Sequence, residues 1–168
     1  YKLRPDVHSV VHAHPPTATG FAVAGIELTQ CVLPEVIVRL GGVPLADYGT
    51  PGGPDIVEPM KHLLKDYDAI LMANHGAVTL GKDVMDAHFK METVEHFAKI
   101  ALVAHQLGQV KTLSDGHVNE LIDLRKRFGI VGRPSCDRNE LPIAEVEGTQ
   151  SSELVEQITQ EVLKTLRS

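Results

Sequence analysis

Apolar and polar positions along the chain switch between a period of two and a period near 3.6, and each switch marks a new element. Residues 7–13 (VHSVVHA) interleave valines with polar side chains, the pattern of a half-buried strand. Pro15 and Pro16 end it, since a proline has no N–H to give to a ladder. A short helix over 18–24 follows, with Thr17 as its cap and Gly25 as its stop. Residues 26–33 and 36–40 are short branched-chain-rich segments interrupted by Pro34, the first of them largely loop. Gly41-Gly42 makes a turn, 43–46 (VPLA) a further edge strand, and 47–54 (DYGTPGGP) a loop. Asp55 then predicts a helix reaching Tyr67, with Ile56, Met60, Leu63 and Leu64 on its apolar side. Residues 69–73 (AILMA) and 77–80 (AVTL) read as strands around Asn74-His75-Gly76. The longest helix is capped by Asp83 and runs to Leu107 before Gly108, with Phe89, Phe97, Ile100, Ala101, Ala104 and Leu107 as its buried stripe.

Strands interleaved with helices up to residue 108 indicate an α/β layer fold. Connections this short cannot make every neighbouring strand parallel, so a mixed or antiparallel sheet is expected. Beyond 108 the pattern changes. Residues 114–128 form a modest helix, and 129–150 are polar and punctuated by Pro and Gly. Residues 151–166 are amphipathic, with Leu154, Ile158, Val162 and Leu166 at helical spacing. The expected division is a core over 1–108, a helix and polar linker over 109–150, and a C-terminal amphipathic helix over 151–168. The chain opens on Tyr1 rather than Met and enters an apolar strand within ten residues, so it reads as a fragment or a processed chain.

A net charge of −6 and a pI near 5.8 argue against nucleic acid or an anionic membrane as the main partner. No apolar run approaches the roughly 20 residues of a membrane span, and nothing at the start reads as a signal peptide. Cys31 and Cys136 lie far apart and form no metal or redox motif; free thiols in a reducing cytosol are the simplest expectation.

Histidine is the unusual residue, with nine in 168 positions. On a strand, side chains at i and i+2 share a face, so His12 and His14 project together from backbone positions about 6.6 Å apart. Two imidazoles on that base can converge on one ion at zinc–nitrogen distances of about 2.0–2.1 Å. An isolated pair is weak, because one packed and one hydrogen-bonded histidine would look the same, and chance alone supplies roughly half of one such pair. The setting adds weight. The pair stands at a strand end cut by Pro15-Pro16, and His75 stands between two strands with Gly76 after it, where the backbone can turn sharply. Three nitrogen ligands with an open fourth position is the pattern of a catalytic zinc site, whereas structural zinc closes its shell with four. His88, His96 and His105 on the long helix are read as ordinary surface or packed residues.

At His12-Ala13-His14-Pro15-Pro16 and at Ala73-Asn74-His75-Gly76-Ala77 the sequence resembles the class II aldolase/adducin family. The run from Gly41 to Gly52 (GGVPLADYGTPG) and the helix carrying Glu92 and Glu95 after Gly81-Lys82-Asp83 are also similar, so the resemblance covers residues 1–108. It implies a three-layer α/β/α fold with a central mixed, largely antiparallel sheet, incomplete here at its N-terminus, and a homo-oligomer, usually a tetramer. It also implies that His12, His14 and His75 are the ligands of a zinc or other divalent ion.

Within the family the resemblance points to fuculose-phosphate-type aldolases. These cleave a ketose 1-phosphate such as fuculose 1-phosphate to dihydroxyacetone phosphate and a small aldehyde, as cytoplasmic enzymes. Sugar-phosphate epimerases, a methylthioribulose-phosphate-type dehydratase and a non-catalytic adducin-like scaffold stay open as alternatives. The epimerases' middle segment carries a histidine that Gly41-Gly42-Val43-Pro44-Leu45-Ala46-Asp47 lacks, and adducins lack the three-histidine set. The family's acid/base glutamate and phosphate loops precede the first histidine motif, upstream of Tyr1, so this chain alone is expected to bind metal but turn over little. Counting back from Gly41-Gly42 places the family's active-site tyrosine at Glu35, a candidate to work near the metal. The linker and terminal helix resemble the encapsulation peptides that direct enzymes to a bacterial microcompartment shell; docking on its own or a neighbouring subunit is the competing reading.

Overall fold

The computed structural model describes residues 1–130; the polar stretch and terminal helix expected further on lie outside the described residues. Four strands form one mixed sheet: β1 (Ser9–Ala13), β2 (Leu45–Ala46), β3 (Ala69–Met72) and β4 (Gly76–Gly81), in the order β1-β4-β3-β2. β4 pairs antiparallel with both β1 and β3, and only the short β2 runs parallel to β3. The largely antiparallel character follows from the tight β3–β4 turn, which is too short to carry a crossover.

Helices α1 (Pro16–Ala24), α2 (Pro34–Arg39), α3 (Val84–Gln106) and α4 (Asp115–Arg127) complete the regular elements. The central strands β3 and β4 are buried along their whole length, which is why 69–72 is a continuous apolar run rather than an alternating one. Alternate residues of β3 serve opposite faces. Ala69 and Leu71 join Ala18, Phe21 and Ala22 of α1 and Met91, Val94, Phe97, Ala98 and Ala101 of α3 in the main core. Ile70 and Met72, with Val78 of β4 and Ala46, pack on the other side against Met60, Ile56, Leu63, Leu64 and Tyr67. The sheet is therefore covered on both faces, in three layers. A smaller cluster of Cys31, Ile37 and Val118 seats α4 on α2.

Several expectations change. The segment 55–67 is not an α-helix but a pair of 3₁₀ turns, Pro54–Ile56 and Glu58–Met60, followed by further turns. Pro59 is the reason: it has no N–H to give to the carbonyl of Asp55, so an α-helical ladder cannot run through it. The apolar side read for that segment is nonetheless the side that packs on the sheet. Residues 36–39 belong to a helix, capped by Leu40, which Pro34 opens at its first turn instead of interrupting.

On α3 the stripe is Ala87, Met91, Val94, Phe97, Ala98 and Ala101; Phe89 and Leu107 are exposed. Phe89 lies two positions from Ala87, about 200° around the helix, and so faces away. Cys31, expected as a free thiol, is buried and disulfide-bonded, and Cys136 lies outside the described residues.

The end of the sheet at Ser9 and Gly81 is closed by a charged network. Lys90, buried on α3, donates to Asp68 (2.9 Å) and the carbonyl of Leu80 (2.8 Å), and its ammonium lies 3.0 Å from Asp86. Arg4 donates to Asp68 at 2.8 Å and to the carbonyl of Leu64 at 2.8 Å. A buried ammonium persists only with such partners. The opposite end, at Ala13 and Ala77, carries the histidines.

Candidate metal centre

His12 is the penultimate residue of β1, His14 follows the strand, and His75 stands in the β3–β4 turn, next to β1 because β4 pairs with it. The ring centroids lie 4.9 Å apart for His12 and His14, 4.8 Å for His12 and His75, and 5.0 Å for His14 and His75. One nitrogen from each ring falls within 4.8 Å of the other two. All three predicted ligands are thus brought together, and no carboxylate or thiol joins them among the described residues.

Two features of the backbone aim these rings. Asn74 adopts a left-handed conformation (φ 55°), one that asparagine tolerates better than most residues, and this turns the chain so that His75 faces the end of β1. Gly76 is needed for space. A Cβ there would sit 2.6 Å from the carbonyl oxygen of Ala13 and 2.6 Å from Cδ2 of His14, so any side chain would have to displace that carbonyl or the ring. The sharp turn expected at Gly76 belongs to Asn74 instead.

Hydrogen bonds orient the donor set. Nδ1 of His12 donates to the carbonyl of Ala77 at 2.9 Å, which leaves Nε2 as the lone-pair nitrogen facing the centre. That Nε2 lies 3.1 Å from Nε2 of His14. Two nitrogens bound to one tetrahedral zinc at its usual bond length would be separated by about 3.3 Å, so the spacing fits an ion with little adjustment. His75 keeps Nδ1 buried without a hydrogen-bond partner among the described residues. Burial, and then the proximity of His12 and His14, lower its proton affinity below that of an ordinary histidine, holding it in the neutral form that a ligand requires. Three convergent nitrogen bases, one with an orphaned polar atom, fit a divalent cation better than they fit one another.

The remaining histidines stay apart from this group. His88 pairs with Glu92 on the surface of α3 at 3.7 Å, and neither His96 nor His105 joins the cluster. Glu35 is exposed in the first turn of α2 and is not among the residues gathered at the centre. Glu95 has a structural role that local patterns do not reveal: its carboxylate accepts hydrogen bonds from the backbone N–H groups of Thr17 and Ala18, 78 and 77 positions away. The expected Thr17 cap of α1 is absent; Pro15 takes the capping position and has no side chain able to accept.

The chain is similar to several known proteins. The 3-oxo-tetronate 4-phosphate decarboxylase of Escherichia coli K12 is 32% identical over 127 residues, covering 72% of this chain and 58% of the relative. An L-fuculose phosphate aldolase of Methanocaldococcus jannaschii is 32% identical over 103 residues, covering 61% of this chain and 55% of the relative. The solved structure of an L-fuculose 1-phosphate aldolase matches with a TM-score of 0.68 at 28% identity, covering 75% of this chain and 59% of that one. The chain thus spans less than three fifths of the length of each of these proteins. Residues 1–102, which hold the sheet, all three histidines and most of α3, match the class II aldolase and adducin N-terminal domain, and the chain belongs to that family.

Proposed function

We propose that His12, His14 and His75 hold a divalent ion, zinc, and that this centre serves a carbon–carbon lyase acting on a sugar phosphate. The observation that carries the reading is the convergence of three imidazole nitrogens within 4.8 Å at one end of the sheet. An ion bound there supplies Lewis-acid stabilisation of the negative charge that bond cleavage leaves on the substrate's oxygens. The chain's own residues set its terms. Three neutral ligands leave the ion's double charge undiminished, and a three-ligand shell keeps a position open for substrate. The Ala77 carbonyl fixes the His12 tautomer and makes its Nε2 a better donor.

For an aldolase the substrate is a ketose 1-phosphate such as fuculose 1-phosphate. The bond beyond the carbon next to the ketone breaks and its electron pair moves toward the ketone. The hydroxyl on the far carbon loses its proton as that carbon departs as an aldehyde, and the carbon left behind takes up a proton to complete the ketone product. Loss of carbon dioxide from a 3-oxo acid phosphate leaves the electron pair in the same place. The 32% identity to the 3-oxo-tetronate 4-phosphate decarboxylase is the specific observation that favours this second reading. One charge-stabilising centre serves both.

The test has two parts. Metal analysis of the purified 168-residue chain should give one divalent ion per chain, lost in H12A and in H75A. A chain that retains none after zinc loading overturns the reading in favour of a metal-free scaffold. Supplying fuculose 1-phosphate and 3-oxo-tetronate 4-phosphate to a longer protein containing this segment then separates the two lyases, by aldehyde formation or by release of carbon dioxide.

A further inference from the structure

We infer that Glu95 is a positioning residue of the metal centre, acting on His14 through helix α1; the inference rests on the three-histidine reading. The first turn of any helix leaves backbone N–H groups without internal partners. In α1, Pro16 has no N–H, the N–H of Thr19 reaches the carbonyl of Pro15 at 2.8 Å, and no side chain of the helix itself caps the rest. Both remaining groups go to one carboxylate on another helix. Thr17 N–H donates to Oε1 of Glu95 at 3.1 Å and Ala18 N–H donates to Oε2 at 2.9 Å. These are charge-assisted bonds, with the negative group placed at the positive end of the helix dipole.

The link from that anchor to the metal centre is short and stiff. Only Pro15 and Pro16 separate His14 from Thr17, and each ring locks one backbone torsion. Pro15 is extended (φ −64°, ψ 132°), so the start of α1 and the backbone of His14 move as one piece. On its other side the His14 ring is confined by Gly76, where there is no room for a Cβ. Glu95 therefore seats the start of α1 on α3, and through the two prolines sets how far the His14 nitrogen reaches toward His12. Neither carboxylate oxygen joins the nitrogen cluster, so the role is indirect.

Cobalt(II) binding to the full chain tests this, since its visible absorption reports both affinity and coordination geometry. E95A should weaken cobalt binding about tenfold or more, the scale seen when partners of metal ligands are removed, and should alter the four-coordinate absorption band. E95Q keeps one accepting oxygen and should fall between E95A and wild type. D83A supplies the structural control: it removes the cap of α3, where Asp83 accepts from the N–H of Asp86 at 2.8 Å, at the other end of the sheet. It should lower the melting temperature while leaving cobalt affinity and spectrum unchanged. Affinity of E95A within twofold of wild type, or equal weakening in D83A, overturns the role of Glu95. A wild-type chain that binds no cobalt overturns the three-histidine reading and this inference together.

Discussion

Gly76 and Asn74 show how single residues shape the centre without touching an ion. Gly76→Ala must move either the Ala13 carbonyl or the His14 ring, each 2.6 Å from the added carbon. A backbone carbonyl yields little, so the expected outcome is a displaced His14, a destabilisation of about 1–3 kcal/mol, and weaker metal binding. Denaturant unfolding and a zinc titration on the same preparation check both effects. Asn74 predicts a contrast of another kind. Asn74→Gly should be nearly neutral, because glycine accepts φ 55° freely, whereas Asn74→Val should cost about 1–3 kcal/mol through strain at a β-branched residue. Equal melting temperatures for the two variants would show that the left-handed turn does not set the position of His75.

Among the elements, α3 does the most to define the interior, and its two aromatic residues differ in burial. Phe97 is fully buried, packed with Ala18, Phe21 and Leu71 in one cluster, whereas Phe89 is 46% exposed. Phe97→Ala should cost about 3–5 kcal/mol and Phe89→Ala under about 1 kcal/mol, as read from urea unfolding midpoints. The segment 54–67 illustrates the reverse relation between element and core. It fails as an α-helix at Pro59, yet it still delivers Met60, Leu63 and Leu64 to the sheet's second face. Burial of those side chains, not regular hydrogen bonding, holds the layer in place.

At the scale of the whole molecule, the two ends of the sheet are specialised, one for the histidines and one for the charged network. Within that network burial raises the proton affinity of Asp86, but the hydrogen bond and charge of Lys90 outweigh it, aided by the Lys82 N–H and Arg39, so its carboxyl titrates below the usual range. A carboxylate with a lowered folded-state value stabilises the fold above the unfolded value, near 3.9, and that contribution is lost as pH falls through the folded value. Asp86→Asn should therefore cost on the order of 1 kcal/mol at neutral pH and flatten the loss of stability below about pH 4. Unfolding curves of both proteins between pH 6 and 2 check the sign; a steeper acid limb in the variant would contradict it.

What could be read from the chain alone was whatever a local pattern encodes. Alternation and apolar runs placed the strands, Asp83 and Gly108 bracketed the long helix, and the i, i+2 spacing put His12 and His14 on one side. The three histidines of the candidate centre were also legible as residues at strand ends, because strand ends and an i, i+2 spacing are local facts. Local reading missed elements where one residue overruled a pattern, as Pro59 did in 54–67 and Pro34 did in opening α2.

Which distant groups meet came from packing alone: Glu95 with the start of α1, Lys90 with Asp68 and Leu80, Gly76 with the His14 ring. The reason is physical. Periodicity constrains which face of an element is apolar, but a hydrogen bond or a close approach between residues dozens of positions apart exists only once both elements have packed. Local patterns therefore made three imidazoles available; packing brought them to one centre and set how rigidly it is held.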